Sequence, residues 1–155
     1  MRVCGIDPGA NGAICVLDSQ DLAHVALLDL GKTSIYDAII WLRWYDVKIV
    51  WIEDVHSMFG MSAKSNFGFG RNLGIATAIA EVAMQGQTTK TVTPKIWQKY
   101  VGITTKGKAI KKQVAEIANT LYPTADLYGK RGGLLDGRAD ALMIAHYGLH
   151  NKEKV

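Results

Sequence analysis

Short apolar runs alternate with longer amphipathic stretches along this chain, and their order predicts an α/β domain. Residues 2–7 are apolar up to Asp7, where Pro8 and Gly9 end the run. A turn through residues 9–12 leads to a second apolar run at about 13–18 and a third at about 23–29. Pro8 and Gly9 neither extend a strand nor open a helix, so the three runs are expected to form an antiparallel meander. Thr33 or Ser34 then caps a helix to about residue 45, with Ile35, Ala38, Ile39, Leu42 and Tyr45 on its apolar stripe. The run from Lys48 to Glu53 is continuous and rich in β-branched residues, as expected of a central parallel strand.

A Gly- and Ser-rich stretch carrying Phe59, Phe67 and Phe69 follows, then a long helix to about residue 84. Residues 90–93 read as a short strand, and Pro94 opens a helix carrying Trp97 and Tyr100. A polar loop at 102–108, a helix at 109–121 stopped by Pro123, a loop at 124–133 and a last helix at about 134–149 complete the reading. Three antiparallel strands followed by parallel ones predict a mixed five-stranded sheet with helices on its faces. The expectation is one domain over residues 1–150 and a frayed tail at 151–155, with no internal repeat or linker.

Composition narrows the class. A chain of 155 residues with 48% hydrophobic and 21% charged residues has enough apolar content for a normal core. The first residues are the first strand rather than a signal peptide, and no apolar run approaches the roughly 18 residues of a membrane span. Cys4 and Cys15 lie on predicted strands without metal-ligand spacing, and read as reduced core cysteines of a cytoplasmic protein. The formal net charge is only +4, but it is unevenly placed. Between Glu81 and Glu116 there is no acidic residue, while Lys90, Lys95, Lys99, Lys106, Lys108, Lys111 and Lys112 all fall there. That segment is either a solvated lysine face or a contact surface for a polyanion such as nucleic acid.

The candidate chemistry lies in the carboxylates. A buried aspartate is costly unless it is paired or binds a metal, and Asp7 ends an apolar strand. Glu53 ends the next buried strand, so the two acids share one sheet edge if their strands are parallel neighbours. Asp54 points to the opposite face if the strand continues. Asp136 and Asp140 are four apart at the start of a helix and share a face, roughly 6 Å apart at Cβ. Singly, Asp136 reads as an N-cap, Asp140 as a first-turn acid and Glu53 as a strand-end surface residue. Together they repel unless a divalent cation compensates. Hard oxygen donors without a His/Cys cluster favour Mg²⁺ or Mn²⁺, and two such ions suit phosphodiester hydrolysis.

These motifs resemble those of the RuvC-type Holliday junction resolvases, in particular the phage and poxvirus-like branch, within the RNase H-like superfamily. Gly5-Ile6-Asp7-Pro8-Gly9 is similar to the family's first-strand motif, and Ile52-Glu53 to its second acidic site. Residues 67–74 resemble the segment before the long helix, Val92-Thr93-Pro94-Lys95-Ile96-Trp97 the phage-branch element, and residues 136–142 the C-terminal acidic helix. The likeness runs in order over nearly the whole chain. It implies an RNase H-like fold and a crossover-junction endodeoxyribonuclease that nicks four-way DNA junctions symmetrically as a homodimer, with Asp7, Glu53, Asp136 and Asp140 holding about two Mg²⁺ ions that Mn²⁺ can replace. Well-studied bacterial members space the last acidic pair by three residues rather than four, and both spacings keep the pair on one helical face.

The resemblance also implies an active-site lysine, Lys111 or alternatively Lys106 or Lys108, with Lys112 and Arg71 toward phosphate. It implies an aromatic probe of the junction centre near His56, for which Phe59 is the choice over Phe67 and Phe69. His146 reads as a packing or solvent-facing residue rather than a ligand. Residues 75–84, with closely spaced alanines, are a candidate dimer face. The origin implied is phage or prophage, and no residue specifies a branch-migration helicase partner. Two rival readings keep the same fold: a broader branched-DNA or flap endonuclease, and a junction-binding module without catalysis. A phosphotransferase with a similar Gly-Ile-Asp strand needs two lobes, for which the chain is too short.

Overall fold

Strand alternation decides which side chains meet which helices. In the computed structural model, which describes residues 1–55 and 60–151, β1 (Arg2–Asp7), β2 (Ala13–Asp18), β3 (Asp21–Asp29), β4 (Ile49–Glu53) and β5 (Thr88–Val92) form one five-stranded sheet in the order β3-β2-β1-β4-β5. β1 to β3 pair antiparallel, whereas β4 is parallel to both β1 and β5. This is the mixed sheet expected from the sequence.

Helices α1 (Ile35–Trp44) and α2 (Ala63–Met84) cover one face, where Ala38, Leu42, Ala76 and Ile79 pack on Cys4, Ile6, Val50 and Ile52. Helices α3 (Pro94–Val101), α4 (Ala109–Leu121) and α5 (Asp136–His150) cover the other, packed on Val3, Cys15, Leu17 and Trp51. By the two-residue period, Gly5 and Asp7 share the face of Val3, and Glu53 shares that of Trp51. Both acids therefore point to the side covered by α5, and Asp54 alternates to the other.

α5 approaches β1 closely because Gly5 has no side chain. A Cβ at Gly5 would stand 2.3 Å from both the Ala141 carbonyl oxygen and the Ala145 nitrogen. A Cβ at Gly137 would stand 2.0 Å from the Asn11 carbonyl oxygen, so the helix start is pressed equally hard against the β1–β2 turn. Ten of the α5 residues are buried, which makes it the central helix of the fold rather than a surface one.

Several boundaries differ from the sequence reading. α2 begins at Ala63, with Phe67, Gly68, Phe69 and Gly70 inside it rather than in irregular chain. The Ser62 hydroxyl caps it by accepting the Ser65 N–H at 3.1 Å, and packing of its later turns against the sheet outweighs the glycines' low helix propensity. α5 begins at Asp136, not 134, because Leu134 pairs with Tyr128 in an isolated antiparallel bridge. Asp136 is thus a first-turn residue and not the N-cap. Ser34 rather than Thr33 caps α1, accepting the Asp37 N–H at 3.0 Å. Ile35 is exposed at that helix's first turn instead of joining the buried stripe. Ala76 and Ala80 are buried inside the protomer, so these alanines of the suggested dimer face are already used.

Cys4 and Cys15 are buried free thiols, as expected. Asn151 is buried and donates its amide to the Tyr147 carbonyl at 2.8 Å, while the remainder of the suggested frayed tail, 152–155, lies outside the described residues. No helix among the described residues is long and apolar enough to cross a membrane.

Candidate active site

Parallel pairing places Ile6 opposite Ile52, so the next residues, Asp7 and Glu53, end adjacent strands side by side. α5 crosses above them and brings Asp140 and Asp136 from the opposite direction. Asp7 is only 8% exposed, and the Gly9 N–H donates to its Oδ1 at 2.9 Å. A side chain at Gly9 would put Cβ 3.1 Å from that same oxygen, so the Pro-Gly turn clears space for the carboxylate as well as ending the strand. Glu53 accepts the indole N–H of Trp97 on Oε1 at 2.8 Å. Glu53 and Asp140 remain partly open to solvent.

The electrostatics are those of a crowded anionic site. Burial, reinforced by the Asp136 charge and opposed by the Gly9 N–H and Lys111, pushes Asp7 up to about 6. Burial and the neighbouring Asp7 raise Glu53 to about 7. Asp140 rises to about 8, first through burial and then through repulsion from Asp7, Glu53 and Asp136. Three acids held this far above their ordinary range favour any ligand that brings positive charge.

Lys111, on α4, ion-pairs with Asp136, and its ammonium also feels Asp140 and Asp7, which raises its pKa. Lys111 is thus the lysine at the acidic cluster. Lys106 and Lys108 are exposed in the loop before α4, and Lys112 turns away to pair with Glu116 at 3.9 Å. Arg71 is exposed on α2. Phe67 is 75% exposed on the same helix, and Phe69 lines a groove with Ala10 and Asn72. Phe59 and His56 lie outside the described residues. His146 packs as expected, its Nδ1 sharing a hydrogen bond of 2.8 Å with the Tyr122 hydroxyl, and burial lowers its pKa to about 4.

The donor set tests the expected metals. Asp7, Glu53 and Asp140 are carboxylates in mutual repulsion with no nitrogen or sulfur ligand among them, which fits a hard divalent cation. Among the described residues, no three such groups are gathered closely enough to ligate an ion as they stand.

Solved structures with this architecture carry the comparison further. Thermus thermophilus RuvC in complex with a Holliday junction substrate superposes with a TM-score of 0.67 at 18% identity, covering 98% of this chain and 95% of that one. The fowlpox virus resolvase, in complex with substrate Holliday junction DNA, gives 0.57 at 19% identity over 99% of this chain and 100% of that one. The chain has the fold of the RuvC-type resolvases. The yeast mitochondrial Holliday junction resolvase shares it at a TM-score of 0.57 and 12% identity, over 95% of this chain and 77% of that one. No protein-family model and no curated protein matches the chain.

On this RuvC-type fold, three supporting residues went unread in the sequence. Arg138 forks onto Asp29 at 2.7 and 3.0 Å and bonds the Asp126 side chain and carbonyl, both at 2.9 Å, which ties the α5 start to β3 and to the preceding loop. Its position between Asp136 and Asp140 was the available signal. In the sequence Trp97 reads as a helix residue and a motif member, and its bond to Glu53 spans 44 positions. Gln113 caps the lysine loop: its Oε1 accepts the N–H groups of Thr104 and Thr105, each at 3.0 Å. A groove of about 400 Å³ lined by Asn11, Asp29, Lys32, Leu135, Asp136 and Arg138 opens beside the acids.

Proposed function

We propose that this chain is a divalent-metal-dependent endodeoxyribonuclease that resolves four-way DNA junctions. The observation that carries the reading is the convergence of Asp7, Glu53 and Asp140 from β1, β4 and α5 with Lys111 beside them, on a fold whose solved relatives include two bound to Holliday junction DNA. Asp7, Glu53, Asp140 and, at the rim, Asp136 are the residues to hold Mg²⁺ or Mn²⁺, two ions per site. Such ions supply water activation and stabilise the leaving oxygen when bound.

The chain's own groups do the remaining work. Asp7 and Glu53 sit on neighbouring central strands, so their separation is set by sheet geometry and not by loop motion. Lys111 balances Asp136 in the free protein and places an ammonium where a phosphate gains negative charge in the transition state. Lys106 and Lys108 extend that positive edge toward the DNA backbone, with Lys112 and Arg71 farther out and Phe59 as the stacking residue. A homodimer built on the outward stripe of α2, through Phe67, Gly74, Ala78 and Val82, places two such sites on one junction.

Cleavage of synthetic junctions, Y-forks and linear duplex in Mg²⁺ and in EDTA tests the reading. Paired symmetric nicks in the junction, absent in EDTA, are expected. Equal cutting of Y-forks moves the function to a general branched-DNA nuclease, and binding without cutting to a junction-binding module.

A further inference from the structure

Asp7 and Glu53 are held in the same manner, and the manner is informative. Each has one oxygen fixed by a neutral N–H donor, from Gly9 to Oδ1 at 2.9 Å and from Trp97 to Oε1 at 2.8 Å. Neither accepts a second hydrogen bond from the described residues, so Asp7 Oδ2 and Glu53 Oε2 are left for another ligand. Asp136, by contrast, is held by the ammonium of Lys111.

A cationic partner on Glu53 would discharge it and compete with a divalent ion. A neutral donor fixes its rotamer and keeps its charge. An indole suits this task because it has one N–H, no acceptor and no protonation equilibrium. The donor is also immobile: Trp97 is 1% exposed and packed in the core with Val92, Val114 and Ala118. α3 is aimed by Pro94 at its first turn, directly after β5, which is the parallel neighbour of the strand that carries Glu53. The helix that delivers the donor therefore follows directly on the strand that is hydrogen-bonded in register to the one delivering the acceptor.

We infer that Trp97 is a positioning residue that presets the Glu53 carboxylate for divalent-ion binding, directing Oε2 into the site through a hydrogen bond to Oε1. The inference rests on the reading of Glu53 as a metal ligand. Outer-shell partners of this kind change metal affinity by about 10- to 100-fold when removed.

The test is Trp97→Phe, which keeps an aromatic ring in the core and deletes the donor, measured beside Glu53→Gln by Mn²⁺ titration calorimetry. W97F is expected to weaken Mn²⁺ binding about tenfold or more. It should also raise the Mg²⁺ concentration for half-maximal junction cleavage by a similar factor, with the rate at saturating Mg²⁺ within a few-fold of wild type and junction affinity in EDTA unchanged. Wild-type Mn²⁺ affinity in W97F, with affinity lost in E53Q, overturns the inference alone. Wild-type affinity in both removes Glu53 as a ligand and the inference with it. Should W97F fail to fold, the ¹⁵N indole resonance of Trp97 in the native protein decides: it is expected to shift on Mg²⁺ addition, and an unmoved resonance contradicts the role.

Discussion

Gly5 lies directly beneath Ala141, so close that a Cβ on the glycine would stand 2.3 Å from the alanine's carbonyl oxygen. This contact sets the height of α5 over β1 and with it the distance from Asp140 to Asp7. Both opposing atoms are backbone, which has no rotamer to yield. Gly5→Ala is therefore expected to destabilise the fold by at least about 2–3 kcal/mol, at the upper end of overpacking costs, and to lower cleavage beyond its effect on folded fraction. Thermal unfolding with activity normalised to folded protein checks this, and a silent G5A shows that the helix has room to lift.

The acids make the metal-free protein sensitive to alkali. Asp140 is raised from 3.8 to about 8, so between these values the folded state holds a proton that the unfolded chain has released. Its contribution favours the folded state at low pH and is lost as pH rises through about 8. His146 acts oppositely between about 4 and its ordinary 6.5, since lowering its pKa makes stability rise with pH there. Comparing Asp140→Asn with wild type isolates the acid. At pH 8.5 in EDTA the variant should melt about 5–10 °C higher, on the order of 3 kcal/mol, with the gap closing toward pH 4. Mg²⁺ should raise the wild-type melting temperature at pH 8.5 and leave that of the variant almost unchanged. A constant gap across pH would show that Asp140 titrates normally.

The lysine loop depends on one side chain. Gln113 accepts three hydrogen bonds from Thr104 and Thr105 and donates to the Thr104 hydroxyl at 3.1 Å. Gln113→Leu preserves bulk and deletes all of these. Hydrogen exchange at the Thr104 and Thr105 amides should accelerate at least tenfold, and junction affinity should fall several-fold. Lys106→Ala with Lys108→Ala should give a comparable loss and a shallower salt dependence. Unchanged exchange in Q113L would mean that the loop is ordered by its backbone alone.

The outward stripe of α2 predicts the oligomer. Ala78 is exposed, so Ala78→Arg should leave the stability of the protomer within about 1 kcal/mol of wild type while converting the proposed dimer to a monomer in light scattering. Retention of the dimer would place the interface elsewhere.

Much of this was readable in the chain. Strands β1, β2 and β4 announced themselves because each is an apolar run ended by an acid or a turn, and Asp7 and Glu53 could be paired once the strands were taken as parallel neighbours. Local signals misled where packing prevailed. The segment around Gly68 and Gly70 reads as a Gly- and Ser-rich stretch ahead of the helix, yet the helix runs through it because Ser62 caps its start and Ala76, Ile79, Ala80 and Met84 anchor its end. The contacts that support the site were invisible for a different reason. Arg138 to Asp29 spans 109 positions and Trp97 to Glu53 spans 44, and no periodicity records such pairings. The four-residue spacing of Asp136 and Asp140 gained a physical sense: the deeper acid faces Asp7 and Glu53, while the outer one engages Lys111.

In the proposed function, Asp7 serves the chemistry and not the recognition of DNA. Cleavage and binding of a synthetic four-way junction by Asp7→Asn measure it most directly. Mg²⁺-dependent nicking is expected to fall at least a thousandfold, about 4 kcal/mol of transition-state stabilisation, while junction affinity in EDTA is retained. Wild-type nicking by D7N would contradict it.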